Sequence, residues 1–205
     1  MLKVAISGKM GSGKTTFTNL LQQYHENHIP ESNLSRYEDI FTASERLSLA
    51  APVKKVAYDY FLMPLDYKDR ALLQQIGQKF RDIRPSVWID LLIENARKLS
   101  RAYQKRQING CLVCDDVRFP NEVTRLREDG WVLIRLEVDD AIRQERIKRT
   151  YPDWETHWEN RHEISETALD DYTEDWDLVL TNPSIDEVKE AISEFYERLS
   201  NSPHA

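Results

Sequence analysis

The amino-acid sequence predicts a three-layer α/β fold, with a central five-stranded parallel sheet that carries helices on both faces. Short apolar runs typical of strands alternate with stretches whose apolar residues recur at helical spacing. A glycine-rich turn joins the first predicted strand to the first predicted helix, as in a parallel α/β unit. Ligands of such sheets bind at the carboxyl ends of the strands, so we expect the functional side chains at that edge.

The glycine-rich turn has the pattern of a phosphate-binding loop. Residues 8–15 match G-x-x-x-x-G-K-[ST], with an apolar strand at 3–7 before them and an amphipathic helix behind. The start of a helix offers unpaired N–H groups and the positive end of the helix dipole, which favour bound phosphate. Lys14 is expected to contact the β- and γ-phosphates, and the Thr15 hydroxyl to bind Mg²⁺. The predicted loop contacts are Gly8, Gly11, Ser12, Gly13, Lys14, Thr15 and Thr16.

Composition limits the class of protein. The 205 residues predict a single domain over 1–205, and the net charge of -7 argues against a general nucleic-acid binder. There is no run of 18 apolar residues, and the chain enters a strand at once, so we expect neither a membrane span nor a signal peptide. These features predict a cytoplasmic protein. The oligomeric state stays open, with a homodimer as one option.

The two cysteines could suggest a redox or zinc site. Cys111 and Cys114 form C-x-x-C, but they lie in an apolar strand-like run, where residues three apart face opposite sides of a sheet. No other cysteine could complete a zinc site. Buried free thiols are therefore expected.

Turn and capping signals divide the rest of the chain. The polar residues 25–44 are expected to form a loop, Pro52 suits the first turn of a helix, and Gly130 suits the end of another. Ser184-x-x-Glu187 is a capping box at the start of the last helix. The predicted strands are 3–7, 46–49, 111–116, 131–138 and 178–181, and the later helices are about 52–63, 68–81, 88–103, 120–130 and 184–199.

Two aspartates end the third apolar strand. Asp115 and Asp116 stand where phosphate-loop enzymes place the carboxylate that supports Mg²⁺, so with Thr15 they form the predicted metal site. Arg118 follows two residues later and could reach a second anion. The alternative is an aspartate that caps a helix, beside an arginine in an ordinary salt bridge.

Arginines follow the fourth strand. Arg143, Arg146 and Arg149 are spaced i, i+3 and i+6 in a predicted helix near residue 140, so they are expected to lie roughly along one face. They lead into the tryptophan-rich segment 150–162, which has no clean periodicity. This pattern favours a lid that closes over phosphates, because phosphoryl transfer needs positive charge and exclusion of water. A solvated helix face is the alternative, since Glu145 can pair with Arg149.

Four stretches together resemble a known family. They are the phosphate-binding loop, residues 72–77 with Arg81 and Trp88, the sequence D-V-R-F-P-N-E at 116–122, and the sequence H-E-I-S-E at 162–166. The combination resembles the deoxynucleoside monophosphate kinases of phages and bacteria, which belong to the P-loop nucleoside monophosphate kinase group with adenylate kinase. Asn182 after the last strand also fits, so the resemblance spans nearly the whole chain.

This resemblance implies a P-loop NTPase fold with a monophosphate-binding helical insert at about 30–105 and a lid at about 149–165. It implies Mg²⁺-dependent transfer of the ATP γ-phosphate to a deoxynucleoside 5′-monophosphate, so the partners would be two small-molecule nucleotides. Arg118 would grip the acceptor phosphate, and Asn182 would lie near the adenine of ATP. Lys14 and Arg118 with the lid residues Arg143, Arg146 and Arg149 would be catalytic. The implied substrate contacts are Gln74, Gln75, Arg81, Arg84, Trp88, Asp116, Arg118, His162, Ser165 and Glu166.

Two other functions remain open. Another small-molecule kinase, acting on dephospho-coenzyme A or a phosphorylated alcohol, would share the architecture, although D-V-R-F-P-N-E disfavours it. A non-catalytic nucleotide switch is the second, but the motifs N-K-x-D and D-x-x-G of guanine switches do not occur. No general base is required, because a phosphate acceptor is already an anion, so His162 is not assigned as a general base.

Overall fold

The computed structural model describes residues 1–28, 41–66, 69–173 and 176–200. Strands and helices alternate along most of this part of the chain, as the sequence predicts. The elements are β1 Leu2–Gly8, α1 Lys14–Asn27, β2 Thr42–Leu47, α2 Ala50–Phe61, α3 Arg70–Ile83, α4 Val87–Lys105, β3 Asn109–Val117, α5 Pro120–Glu128, β4 Val132–Glu137, α6 Asp140–Thr150, α7 Trp154–Glu159, α8 Ile164–Thr167, β5 Leu178–Thr181 and α9 Ile185–Ser200, with a 3-10 turn at Asn160–His162.

The strands form one parallel sheet in the order β2-β3-β1-β4-β5. β1 lies at the centre, where Ala5 pairs with Cys114 of β3 on one side and with Leu133 of β4 on the other. This topology confirms the predicted five-stranded parallel α/β fold. Because the strands are parallel, the loop after β1 and the aspartates near the end of β3 lie at the same edge of the sheet.

Side-chain alternation along β1 divides the core into two layers. Val4 and Ile6 pack against Phe17 of α1 and Ile192 of α9. Ala5 faces the opposite side, where α2, α4 and α5 supply the apolar cover. Period-2 alternation of apolar residues on both faces is what a sheet covered by helices on each side requires.

The two cysteines lie in different layers, as predicted. Cys111 packs with the α1 and α9 layer, and Cys114 packs with the α2 and α4 layer. Both are buried and free. Burial raises the pKa of Cys111 to about 12 and holds the pKa of Cys114 well above its usual value, so neither thiol is reactive near neutral pH.

Several predicted boundaries need correction. The second strand was predicted at 46–49, whereas it runs over Thr42–Leu47, because Ser48 and the residue after it turn into α2. The loop predicted at 25–44 is shorter, since α1 continues to Asn27; its residues 29–40 lie outside the described part of the chain. The third helix begins at Arg70 rather than 68, because the Asp69 side chain accepts a hydrogen bond from the N–H of Leu72 at 2.9 Å.

The segment without clean periodicity folds into short pieces. Residues 150–167 contain α7, the 3-10 turn and α8 rather than one amphipathic helix. The capping box of α9 is present as predicted, since Ser184 N donates to Glu187 at 2.8 Å and Glu187 N donates back to the Ser184 hydroxyl at 3.3 Å. Across the described ranges, every helix is too short or too polar to span a membrane.

Candidate functional site

The loop between β1 and α1 has the backbone geometry of an anion cradle. Gly11 and Gly13 have φ values of 78° and 96°, in the left-handed region that favours glycine. A Cβ on Gly11 would lie 2.9 Å from the carbonyl oxygen of Arg143, so α6 packs against the outside of the loop. The N–H groups at the start of α1 remain available on the inner side, where phosphate binding is favoured.

Lys14 reaches back over this loop. Its Nζ donates to the carbonyl oxygens of Gly8 at 2.6 Å and Lys9 at 2.9 Å. Removal from water, and then the positive charge of Arg118, lower the pKa of Lys14 to about 7, against the opposing effect of nearby carboxylates. Negative charge at this position therefore stabilises the ammonium form, which is the interaction predicted with phosphates.

Two of the three arginines of α6 donate hydrogen bonds to carbonyl groups of the loop. Arg143 is buried and donates from Nη1 to the carbonyl oxygen of Met10 at 3.1 Å, while its guanidinium lies 5.4 Å from the ring centroid of Trp158. Arg146 donates from Nη1 to the carbonyl oxygens of Gly11 and Ser12, each at 3.3 Å. These contacts fix the backbone of the loop through its carbonyl groups.

Arg149 is not part of this arrangement. It is exposed and does not line the cleft, whereas Arg146 does. The prediction that the three arginines share one face is wrong, because six residues along an α-helix place Arg149 about 120° around the axis from Arg143.

The two aspartates at the end of β3 have different partners. Asp115 is buried and receives a two-pronged contact from Arg46 of β2, with Nε at 2.9 Å and Nη2 at 2.5 Å. The hydroxyl of Thr18 donates to the same carboxylate at 3.3 Å. Asp115 is thus the carboxylate of a fork-like ion pair that lies beside Lys14.

Asp116 caps a helix, the alternative that its sequence left open. Its oxygens accept hydrogen bonds from the N–H of Leu49 at 2.9 Å, from the N–H of Ala50 at 3.0 Å and from the Ser48 hydroxyl at 2.6 Å. These contacts neutralise the first N–H groups of α2 and fix that helix to the end of β3.

These contacts bear on how Mg²⁺ would be held. Thr15 is exposed in the first turn of α1, beside the phosphate cradle, so its hydroxyl fits the role of an Mg²⁺ ligand. Direct ligation by Asp115 or Asp116 does not fit, because their oxygens are already engaged by Arg46 and by the start of α2. Within the described ranges, no cluster of three His, Cys, Asp or Glu residues could hold a metal on its own.

A second positively charged group faces the loop from the turn between β3 and α5. Arg118 donates from Nη1 to Glu166 at 2.6 Å, and about a quarter of its side chain is exposed to the cleft. The buried Glu122 fixes this turn, since one of its oxygens accepts from the N–H of Arg118 at 2.8 Å and of Phe119 at 3.1 Å. Arg81 lies 4.4 Å from the Phe119 ring centroid and 3.4 Å from Glu122.

The segment after α6 touches α3 across the cleft. Arg70 at the start of α3 contacts the imidazole of His157, which stacks on Tyr151 with ring centroids 3.9 Å apart. One turn later, the Gln74 amide donates to a carboxylate oxygen of Glu163. The predicted lid segment and the helical insert therefore enclose the cleft from opposite sides.

The enclosed cleft is large. Its volume is about 1580 Å³, compared with roughly 300–1,000 Å³ for a typical small-molecule site, so it has room for more than one ligand. Although the whole chain carries a charge of -7, cations outnumber carboxylates among the lining residues. The cations are Lys14, Arg46, Lys54, Arg70, Arg81, Arg118 and Arg146, and the carboxylates are Asp115, Asp116, Glu122, Glu163 and Glu166.

Most of the predicted loop residues line this cleft, from Gly11 to Thr16, and so do Gln74, Arg81, Ser165 and Glu166. Other predicted substrate contacts lie elsewhere. Trp88 is buried in the core and donates from Nε1 to the carbonyl oxygen of Gly77 at 3.1 Å. Arg84 forms an ion pair with Asp90 of α4, with Nη2 and Oδ2 2.5 Å apart. Gln75, Arg84, Trp88 and His162 are absent from the cleft wall.

Asn182 lies beside the cleft rather than in its wall. Its Oδ1 accepts from the N–H of Asp139 at 2.9 Å, and its Nδ2 donates to the Asp139 carboxylate at 2.9 Å. It joins the end of β5 to the start of α6. The next residues, Pro183 to Ile185, do line the cleft.

Sequence reasoning missed four residues that shape the site: Arg46, Arg70, Glu122 and Glu163. Glu122 carried a usable signal, because it stands three residues after Phe119 at the start of α5, the position of the acid in a capping box. The other three act through contacts with distant parts of the chain, which spacing does not reveal.

Comparisons with known proteins agree with this geometry. A family model described as an AAA domain matches residues 4–166, which include the loop, the end of β3 and Glu166. No curated protein matches in a sequence search.

Solved structures share the fold at low identity. A sugar kinase from Janibacter sp. HTCC2649 has a TM-score of 0.52 and 15% identity, with 96% of this chain and 95% of that chain covered. A tunicamycin resistance protein from Deinococcus radiodurans has a TM-score of 0.52 and 15% identity, with 96% of each chain covered. A gluconokinase from Sinorhizobium meliloti 1021 has a TM-score of 0.51 and 13% identity, with 99% and 98% covered. At such identities the likeness shows the fold alone. With its phosphate-binding loop inside the matched range and its five-stranded parallel sheet, the chain has a P-loop NTPase fold and belongs to the AAA domain family.

Proposed function

We propose that this protein is a kinase that transfers the γ-phosphate of ATP to a deoxynucleoside 5′-monophosphate. The observation that carries the proposal is the placement of Arg118 and Arg81 in the same cleft as Lys14 and the phosphate-binding loop. A site that binds only one phosphorylated ligand needs only the phosphate-binding loop and Lys14. Two further guanidinium groups facing that cradle favour an acceptor that brings its own phosphate.

The wall near these arginines also suits a nucleoside. Phe119, Leu49, Val53 and Leu73 add apolar surface to the cleft beside Arg81. A flat aromatic base buries well against such surface, while the phosphate lies on the guanidinium groups. Glu122 and Glu166 engage only some of the N–H donors of Arg81 and Arg118, and an acceptor phosphate can accept from the others, whereas a neutral sugar offers them no negative charge.

The chemistry asks the protein for positioning and charge. An oxygen of the acceptor phosphate forms a bond to the γ-phosphorus, the bond from that phosphorus to the β–γ bridging oxygen breaks, and ADP leaves. Lys14 and the loop N–H groups stabilise the donor phosphates, and Arg118 holds the acceptor. Thr15 would hold Mg²⁺, which when bound neutralises the charge on the β- and γ-oxygens. Glu122 keeps the Arg118 turn in place, and α7 and α8 reduce access of water.

Turnover with a panel of acceptors tests the proposal. Release of ADP is followed by a coupled assay with the four deoxynucleoside monophosphates, AMP, dephospho-coenzyme A and gluconate. We expect activity with at least one deoxynucleoside monophosphate, and a loss of about 10³-fold or more in Lys14→Ala, since charge stabilisation of the transferred group is worth that much. Unchanged diphosphate formation by Lys14→Ala would contradict the proposal.

The panel also decides between the alternatives. Another P-loop small-molecule kinase is supported by two structures of similar fold that are named as kinases of a sugar and of gluconate. Activity confined to dephospho-coenzyme A or gluconate would favour this second function. No ADP release with any acceptor would favour a non-catalytic nucleotide switch.

A further inference from the structure

One carboxylate bridges the phosphate-binding loop and the arginine that faces it. Glu166 lies in α8, and only 6% of its side chain is exposed. Its Oε2 accepts a hydrogen bond from the backbone N–H of Met10 at 2.7 Å, and its Oε1 accepts one from Nη1 of Arg118 at 2.6 Å. The two oxygens of one side chain therefore contact the loop on the donor side and the cation on the acceptor side.

We infer that Glu166 is a positioning residue that couples binding of the donor nucleotide to binding of the acceptor, an inference that rests on the proposed kinase function. Phosphates that enter the loop order its backbone, including the N–H of Met10. The carboxylate then holds Arg118 in one orientation. Binding of the acceptor therefore no longer carries the entropic cost of ordering that guanidinium group. By linkage, the acceptor improves donor binding by the same factor.

The alternative is that Glu166 occupies the acceptor's place and is displaced by it. Burial argues against displacement, because the Glu166 carboxylate is shielded from water. If it were displaced, it would lose its hydrogen bonds from both Met10 and Arg118. The guanidinium of Arg118 has five N–H donors, and Glu166 engages Nη1. Arg118 lines the cleft with about a quarter of its side chain exposed, so it can bind a phosphate and Glu166 at the same time.

The same segment offers a matched control. Asp170 follows Glu166 by four residues and pairs with Lys9 of the same loop at 2.8 Å. Asp170→Asn removes one negative charge from the segment, as Glu166→Gln does. Its ion pair is partly exposed, however, and does not involve Arg118. A general effect of charge or of loop attachment would appear in both variants, whereas the bridge is lost only in Glu166→Gln.

Calorimetric titration tests the coupling without turnover. The affinity of a non-hydrolysable ATP analogue is measured with and without a saturating deoxynucleoside monophosphate, for the wild type, Glu166→Gln and Asp170→Asn. We expect the acceptor to tighten analogue binding in the wild type within the roughly 5–150-fold range of coupled sites. Glu166→Gln should reduce this ratio to less than about twofold. The NH₂ group of the glutamine cannot accept a hydrogen bond, so the contact with either Met10 N–H or Arg118 is lost. Asp170→Asn should keep the wild-type ratio.

The outcomes separate this inference from the proposed function. If the wild type binds no nucleoside monophosphate, the proposed function fails. If the wild type binds both ligands but shows no tightening, or if Glu166→Gln retains it, the coupling role is wrong while the kinase proposal stands. Should Glu166→Gln fail to fold, Glu166→Asp decides, since the shorter side chain keeps the charge but cannot span both partners and should also lose the tightening.

Discussion

Glu122 provides a sharp test of how the Arg118 turn is built. It is 2% exposed, and its Oε2 accepts both backbone hydrogen bonds, from Arg118 N at 2.8 Å and Phe119 N at 3.1 Å. Its Oε1 is 3.4 Å from Arg81, a weaker contact. Glu122→Ala leaves two N–H groups without their acceptor, at about 1–3 kcal/mol each, so we expect a loss of about 2–6 kcal/mol in the free energy of unfolding.

Glu122→Gln should behave differently. Its single carbonyl oxygen can take the place of Oε2 and accept both N–H groups, and only the long contact with Arg81 is lost. Burial raises the pKa of the Glu122 carboxyl, so removal of the charge also removes a desolvation cost. We expect Glu122→Gln to lie within about 1 kcal/mol of the wild type.

Urea denaturation measures the free energy of unfolding of both variants, with the slope of that free energy against urea concentration fitted for each one. Glu128→Ala is the control on the same helix, since its side chain is 57% exposed and its ion pair with Arg125 should contribute less than about 1 kcal/mol. A Glu122→Ala variant as stable as Glu128→Ala would refute this account of the turn. So would a Glu122→Gln variant as unstable as Glu122→Ala.

Three further predictions concern the loop, the α6 arginines and the α1–α9 contact. Gly11→Ala should lower the free energy of unfolding by about 1–3 kcal/mol more than Gly130→Ala in thermal unfolding. Both glycines have positive φ, but only a Cβ on Gly11 would meet a backbone oxygen, that of Arg143 at 2.9 Å. Equal losses in the two variants would contradict this prediction. Arg146→Ala should lower kcat/KM by about tenfold or more, because Arg146 donates to the carbonyl groups of Gly11 and Ser12. Arg149→Ala should not, because Arg149 is exposed and does not line the cleft. Equal effects of the two substitutions would support a common arginine face. His25 of α1 is buried, and its Nδ1 lies 3.0 Å from the Tyr196 hydroxyl of α9. Burial lowers the pKa of His25 below 6.5, so the stability it contributes is present above that pH and is lost as the pH falls through the folded-state value. Denaturation at several pH values should show a weaker acid dependence in His25→Gln.

Local patterns predicted the parts of the fold that depend on neighbours in the sequence. The strand, loop and helix around Lys14 followed from a motif whose spacing is set by backbone geometry, and the opposite placement of Cys111 and Cys114 followed from strand alternation. The helix predicted at about 88–103 is present, and it buries Trp88, Leu92 and Ala96.

The remaining assignments depended on contacts between distant residues. Asp115 and Asp116 are adjacent in the chain, yet one meets Arg46 and the other meets the start of α2, and spacing does not distinguish these partners. Trp88 was assigned to the substrate region, but its N–H is taken by Gly77 in the packed core. Glu166 was assigned to the substrate region, and only the folded chain brings it to Met10.

The central claim is that one cleft binds two phosphorylated nucleotides end to end, with the loop and Lys14 on one side and Arg118 on the other. The most direct measurement is the affinity of a bisubstrate compound in which adenosine and a deoxynucleoside are joined through a chain of five phosphates. The account predicts one bound molecule per chain, at least about 10²-fold tighter than ATP, and a strong loss in Arg118→Ala. Binding no tighter than ATP, or binding unaffected by Arg118→Ala, would contradict it.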